Sequence, residues 1–398
     1  MAKKLKVMIL SETYPLRGYF DGAAVFTERL AKGLAENGNK VLAIGPNSDF
    51  KDRVSSEGPN LKVFRLKSFL IKPVHPFFRF IYSMNLYGKV KKAAEEFNPD
   101  IIHIQNHFLL GRIALRISKK MKVPVGGTNH FMLENLIQWM PLGKRETSKI
   151  MWLDFRRVYE KLDFITAPTN AAAELLKKIG LNGKVIVISN GIDLKRFKRI
   201  VVEKGFLRDQ GFDNNLPTFL FVGRVDYDKN VDLIIKAFLV VLKSKEVQFL
   251  VVGVGPKEED YKKLAEELGI SKYIIFTGRV SDEELKKIYS VSNVYVASGE
   301  AELQGIAVME AMACGLPVLG LNAVAIPELV EDGVSGYIFE KNIKDLANKI
   351  IKILEDKERL KKMRQASLKI IKEHDFNKTI EKFENLYKKA IDKYNQNN

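Results

Sequence analysis

Cysteine is all but missing from this sequence: Cys314 is the single one in 398 residues. One thiol excludes an internal disulfide framework and a four-cysteine zinc site. No apolar stretch approaches the roughly 18–20 residues that span a bilayer. The apolar run Leu5–Leu10 is too short for a signal-peptide core, and no small-residue cleavage site follows it. Short internal repeats and low-complexity segments are absent too. These absences lead to the expectation of a cytoplasmic setting.

What is present is ordinary in kind and uneven in place. Hydrophobic content of 46% and charged content of 28% suit a globular protein, and the length suits two domains with a core each. The net charge of +17 sits in the first half: 35 lysines and arginines face 17 acids in residues 1–200, and 30 face 31 in residues 201–398. Such a field fits an anionic membrane surface, nucleic acid or an acidic substrate.

Short β-branched runs alternate with amphipathic segments, the pattern of βαβ units on a parallel sheet. The first half offers strands at Lys6–Ser11, Val41–Gly45, Ile101–Gln105, Val123–Thr128, Phe164–Ala167 and Val185–Ser189. The second offers Thr218–Val222, Gln248–Gly253, Tyr273–Thr277, Val294–Ala297 and Pro317–Gly320. The reading is α/β: two doubly wound domains, 1–195 and 196–374, with ligands expected in a cleft between the carboxyl ends of their sheets. A charged amphipathic helix closes the chain within 375–398.

The most informative stretch is Gly299–Gly315, which holds Glu302 and Glu310 with seven residues between them. On an ideal helix those eight steps advance about 12 Å and leave the carboxylates roughly 80° apart. That exceeds the roughly 5–9.5 Å usual for two acids acting on one bond. It suits one elongated ligand gripped at two places, with its anionic middle over a helix N-terminus.

Other segments add chemistry with alternatives attached. After Thr218–Val222, Gly223-Arg224 and Lys229 supply a planar fork and a mobile ammonium, as a diphosphate requires, or else ordinary surface cations. Asp226 and Asp228 between them read as surface or capping acids in preference to a D-x-D metal site. Gly253 and Gly255 serve a nucleotide or a tight turn equally well. Arg279 and Val280 end another strand, where their backbone would read a base edge, and Ser281–Glu284 has capping-box form. Gly22 and Ala23 open a helix whose amides approach a phosphate or simply start the helix. His130, past Val123–Thr128, either donates to a sugar and moves protons or is structural. His103 lies within a strand as packing, and His107 is intermediate. Ile71–Tyr87 and Trp139–Lys161 mix aromatic rings with cations, as in an interfacial membrane contact or a buried helix with a basic outer face.

Taken together, the chain resembles the GT-B glycosyltransferases of family 4 nearly end to end. The E-x7-E signature, Glu302 to Glu310 followed by Ala-Met-Ala-Cys-Gly, is the most specific element. Gly223-Arg224…Lys229, Asn190-Gly191-Ile192-Asp193…Phe197, the glycine near Gly22, and His130 match in order. One departure is Gly22-Ala23 where the family usually has Gly-Gly. The resemblance implies two Rossmann-like domains facing a cleft, with the C-terminal helix crossing back to the first. It implies retaining sugar transfer from a nucleotide diphosphate donor, UDP-linked, by front-face attack assisted by the leaving phosphate. Glu302 would hold donor sugar hydroxyls, Gln304 would belong to the donor site, and Gly305, Ile306 and Ala307 would face sugar and phosphate. Glu310 would hold the ribose. Arg224 and Lys229 would stabilise the leaving diphosphate, and His130 would touch the sugar. No cofactor and no metal are implied.

Glu302-Leu-Gln304-Gly305 is similar to the E-x-Q-G variant of glycolipid-forming members such as diacylglycerol glucosyltransferases. With the basic first half, it favours a membrane lipid acceptor, and peripheral attachment to anionic lipid at the inner face of the membrane. Rivals are a soluble-acceptor transferase, a nucleotide-sugar epimerase, and a nucleic-acid module. No nucleic-acid motif appears, and Glu302 and Glu310 oppose a phosphate backbone.

Overall fold

The computed structural model describes residues 4–15, 22–70, 79–130, 132, 144–181, 183, 185–203, 205–206, 211, 213 and 215–397. The chain divides into two units, Met1–Asn190 with Asn377–Asn398, and Gly191–Phe376.

In the first unit the strands are β1 (Lys6–Leu10), β2 (Lys40–Asn47), β3 (Arg53–Ser56), β4 (Leu61–Leu70), β5 (Arg79–Ile81), β6 (Ile101–Ile104), β7 (Val125–Thr128), β8 (Phe164–Ala167) and β9 (Val185–Val187). Their order is β3-β4-β2-β1-β6-β7-β8-β9, with β5 on β4. From β4 to β9 every pairing is parallel; β3 and β5 add antiparallel edges. Parallel strands covered on both faces read as continuous apolar runs, and Val7–Leu10 of β1 are fully buried. Each such side chain contributes about 1.5–3 kcal/mol by leaving water.

The helix Phe376–Asn397 belongs to this unit through a buried face of Thr379, Ile380, Phe383, Leu386 and Tyr387. Phe383 packs 5.9 Å from Phe26. The Tyr387 hydroxyl lies 2.7 Å from His103 Nδ1, and His103 Nε2 lies 2.9 Å from Thr128 Oγ1. Burial, with His130 nearby, pushes the His103 imidazole down to about 3, so it is a neutral packing residue as its place in a strand implies.

The second unit is a wholly parallel sheet of β10 (Thr218–Val222), β11 (Gln248–Val252), β12 (Ile274–Gly278), β13 (Val294–Ala297), β14 (Val318–Leu321) and β15 (Gly336–Phe339). Its order is β12-β11-β10-β13-β14-β15. Strand alternation builds two cores at once. Phe219 and Phe221 enter one core with the helices Val231–Val241 and Ile343–Glu355. Leu220 enters the other, with the helices Asp282–Val291 and Ile306–Ala313.

Two Rossmann-like units on parallel sheets are thus what the alternating pattern implied. Sequence order reverses between β1 and β6 in the first unit and between β10 and β13 in the second. Open α/β sheets bind ligands at the carboxyl ends of strands flanking such switch points.

Candidate functional site

In the second unit, the loops after β10 and β13 bring three of the predicted residues together. Gly223 leaves β10 with its amide on the Val252 carbonyl at 3.0 Å, and the Val225 amide bonds the Val254 carbonyl at 3.2 Å. The loops 223–225 and 253–255 therefore run side by side. A Cβ on Gly253 (φ +131°) would sit 1.9 Å from the Gly223 oxygen, and one on Gly255 would sit 2.1 Å from the Val225 oxygen. Close backbone approach thus accounts for this glycine pair without a nucleotide.

A 3-10 turn, Tyr227–Lys229, follows, capped by Asp226 Oδ1 accepting from the Tyr227 amide at 2.8 Å. Asp226 is fully buried and Asp228 nearly so, which corrects the expectation of surface acids; capping is observed, and both carboxylates are used for ion pairing. Arg224 donates to Asp226 and, at 3.2 Å, to Asp228. Lys229 Nζ lies 2.9 Å from Asp228 Oδ2 and 2.6 Å from Glu302 Oε1. Two cations and three carboxylates form one cluster. Burial works against the Lys229 charge, but Glu302 and Asp228 outweigh it and hold the ammonium above the usual lysine value. Burial likewise opposes ionisation of Asp228, and Lys229 and then Arg224 overcome it, so its carboxyl is held below the usual aspartate value.

Glu302 does not lie on the helix. The helix is Ile306–Ala313, and Gly305 before it sits at φ +77°. The two acids are thus a loop residue and a helix residue, and the ideal-helix separation of about 12 Å does not describe them. Glu310 is buried inside the helix, and Tyr289 donates to its Oε2 at 3.1 Å. Tyr289 also reaches the Ala307 carbonyl at 3.4 Å. Gln304 is buried and Val280 packs on the second core, whereas Arg279 is exposed after β12. The capping box at Ser281 and Glu284 is complete.

In the first unit, β1, β6 and β7 end beside one another, and Glu12, Gln105, His107 and His130 follow them. His130 Nε2 lies 2.9 Å from the Gln105 side-chain oxygen, and its ring packs 5.0 Å from Phe26. Burial pushes this imidazole down to about 3. At neutral pH His130 is therefore uncharged, with one ring nitrogen engaged by Gln105. Burial also lowers His107, to about 4, against the pull of Asp154. Glu12, which no motif marks, is buried and accepts from the Leu110 amide at the start of the helix Leu109–Met121. Burial raises it to about 7 despite that amide and its own. Gly22 is the first residue of the helix Gly22–Glu36, with Ala23 half-buried behind it; Asp21 lies outside the described residues.

The aromatic-basic segments divide. Residues 71–78 and 139–143 lie outside the described residues. In the remainder of the first, Tyr82 and Met84 are 57% and 81% exposed, Phe50 is 70% exposed, and the Lys67 ammonium lies within 6 Å of the Phe50 and Tyr82 rings. In the helix Lys144–Tyr159, Phe155 and Tyr159 are buried and stack at 4.0 Å, while Ile150 and Leu153 face out. Its outer side lines a shallow cavity of about 460 Å³ with Ser148, Lys149, Trp152, Leu153, Arg156 and Ile179.

Tyr289 is the second unit's unmarked member, and Asp226 and Asp228 are marked in the sequence without their ion-pairing role. Tyr289 precedes Glu310 by 21 positions, beyond any local spacing rule. The acids are visible in the chain as D-x-D, and the signal that could find them is the need of Arg224 and Lys229 for a buried countercharge.

Residues 20–196 match the Glycosyltransferase Family 4 model, and residues 203–370 match Glycosyl transferases group 1. An alpha-monoglucosyldiacylglycerol synthase of Streptococcus pneumoniae is 28% identical over 71% of this chain and 66% of its own length. One from Acholeplasma laidlawii is 26% identical over 98% of this chain and 99% of its own. Anabaena HepE, solved in complex with UDP-glucose, superposes at TM-score 0.75 with 20% identity, covering 97% of this chain and all of that one. With both halves matched by the paired models and the fold shared throughout, the chain belongs to the group 1, family 4 glycosyltransferases.

Proposed function

We propose that this glycosyltransferase moves a hexose from a UDP-linked donor, with retention, to a membrane lipid such as diacylglycerol. The observation that carries the reading is the Arg224–Lys229–Glu302 cluster at the carboxyl ends of β10 and β13, beside the helix that carries Glu310. In this account the diphosphate takes over the two cations, which stabilise charge on the leaving group and make a metal unnecessary. Lys229 exchanges Glu302 for phosphate, and the freed Glu302 accepts from sugar hydroxyls together with Gln304. Amides at Gly305, Ile306 and Ala307 face sugar and phosphate, and Glu310 receives the ribose. Gly223 allows close approach, and the backbone at Arg279 and Val280 reads the base. His130 contacts the sugar near the anomeric centre, and Gly22 and Ala23 offer helix-start amides.

The lipid acceptor draws support from Glu302-Leu-Gln304-Gly305, from the two synthases named for a glucosyldiacylglycerol product, and from the exposed Phe50 and Tyr82 rings beside Lys67. No helix among the described residues is long and apolar enough to cross a membrane. Exposed rings beside cations suit peripheral attachment to anionic lipid. Screening transfer from a panel of nucleotide sugars, with and without diacylglycerol vesicles, should yield a glycolipid and free UDP only when lipid is present; a soluble glycoside as the sole product would refute the lipid acceptor. In flotation at low salt, recovery should be higher with anionic than with neutral vesicles and should fall as salt rises. Equal recovery would exclude electrostatic attachment.

A further inference from the structure

The cations of the cluster are adjacent, like-charged and only partly exposed, so something must hold them together before any phosphate arrives. Asp228 is placed to do so. Its Oδ1 accepts from Arg224 at 3.2 Å, and its Oδ2 lies 2.9 Å from the Lys229 ammonium. Its carbonyl oxygen accepts from the Glu300 amide at 3.0 Å, tying the loop that carries Glu302 to the same residue. Asn230, at φ +47°, adds a second tie by donating from Nδ2 to the Ser298 carbonyl at 3.0 Å. Asp226, by contrast, pairs with Arg224 and caps the turn. One residue therefore spaces both cations and fastens the loop of the residue proposed to hold the sugar.

We infer that Asp228 is a positioning residue for transfer, setting Arg224 and Lys229 in register on the diphosphate while its backbone fixes the Glu302 loop. This rests on the donor site proposed above. As a negative charge near an incoming dianion, Asp228 opposes donor binding; as a spacer of cations, it favours the transition state. Asp228→Asn keeps size and backbone but removes the charge. It should therefore lower kcat about 10–100-fold, as misplaced catalytic groups do, while the donor KM stays level or falls. Asp228→Glu, which restores the charge, should recover at least part of the lost kcat.

The experiment measures kcat, donor KM and thermal melting for the wild type, Asp228→Asn, Asp228→Glu and Lys229→Ala, with UDP affinity by calorimetry. A fall in kcat without a rise in KM, at a melting point near the wild type's, is the expected result. A kcat within about twofold of wild type, or a KM that rises in step with the loss, overturns the role of Asp228 while an impaired Lys229→Ala leaves the donor site standing. If Asp228→Asn does not fold, Asp228→Glu decides: kcat near wild type supports the inference, and loss of both parameters together overturns it. A wild type that binds no UDP, with Lys229→Ala unchanged in activity, overturns the donor site and this inference together.

Discussion

Lys229→Ala should lower kcat for transfer by about 10²–10³-fold, the usual cost of removing one group that stabilises developing charge in a dry site. The Lys229 side chain is 14% exposed, and its ammonium sits between Asp228 and Glu302. Removing it deletes a phosphate partner and leaves two acids facing each other. Breaking a buried pair by removing one partner costs about 3–5 kcal/mol, and the 29% exposure of Glu302 places this case toward the low end. Thermal melting should therefore fall along with turnover. Because the folded pKa of Lys229 is raised, its contribution to stability is complete below the usual lysine value of 10.5 and is lost as pH climbs through the raised value. Asp228, with a lowered pKa, contributes fully above the usual 3.8 and is lost as pH falls through its lowered value. The cluster is thus intact throughout the neutral range. UDP release at saturating donor measures the first effect, and a kcat within about threefold of wild type would remove Lys229 from the mechanism.

Glu310→Ala should weaken nucleotide binding about 10–150-fold, the value of one hydrogen bond to a charged group. Glu310 is buried in the helix Ile306–Ala313 with Tyr289 on one oxygen, which fixes its orientation. Glu302→Ala should behave differently. It removes a carboxylate from Lys229, so the ammonium becomes more available to phosphate and UDP affinity should hold or rise. The loss should fall on ligands that carry the sugar. Different effects of the two acids on UDP alone are what a ligand held at two places requires.

Much of this was legible in the chain, for reasons particular residues make plain. Buried parallel strands such as β1, β10 and β11 read as uninterrupted apolar runs, and their alternation with helices led directly to two doubly wound sheets. Strand β4 escaped because Lys62, Arg65 and Lys67 interrupt its apolar positions, and β3 and β5 are short edges that exist by pairing with it. Strand β15 opens at Gly336, where a Cβ would lie 1.8 Å from the Val318 oxygen, a closeness that no local pattern announces. The motif order located Arg224, Lys229, Glu302 and Glu310. Their connections were out of reach: Lys229 and Glu302 are 73 positions apart, and both sheet order and loop packing are needed to join them. The E-x7-E spacing invites a helical reading because Ile306–Ala313 is rich in good helix formers, and the spacing itself does not say where the helix starts. Gly305, at φ +77°, marks that start and leaves Glu302 in the loop before it.

Calorimetric titration of UDP and of a UDP-sugar into the wild type, Glu310→Ala and Glu302→Ala tests the donor grip most directly. The wild type should bind both ligands, Glu310→Ala should weaken both together, and Glu302→Ala should weaken the UDP-sugar alone. Indistinguishable effects of the two substitutions on both ligands, or a wild type that binds neither, would contradict that grip.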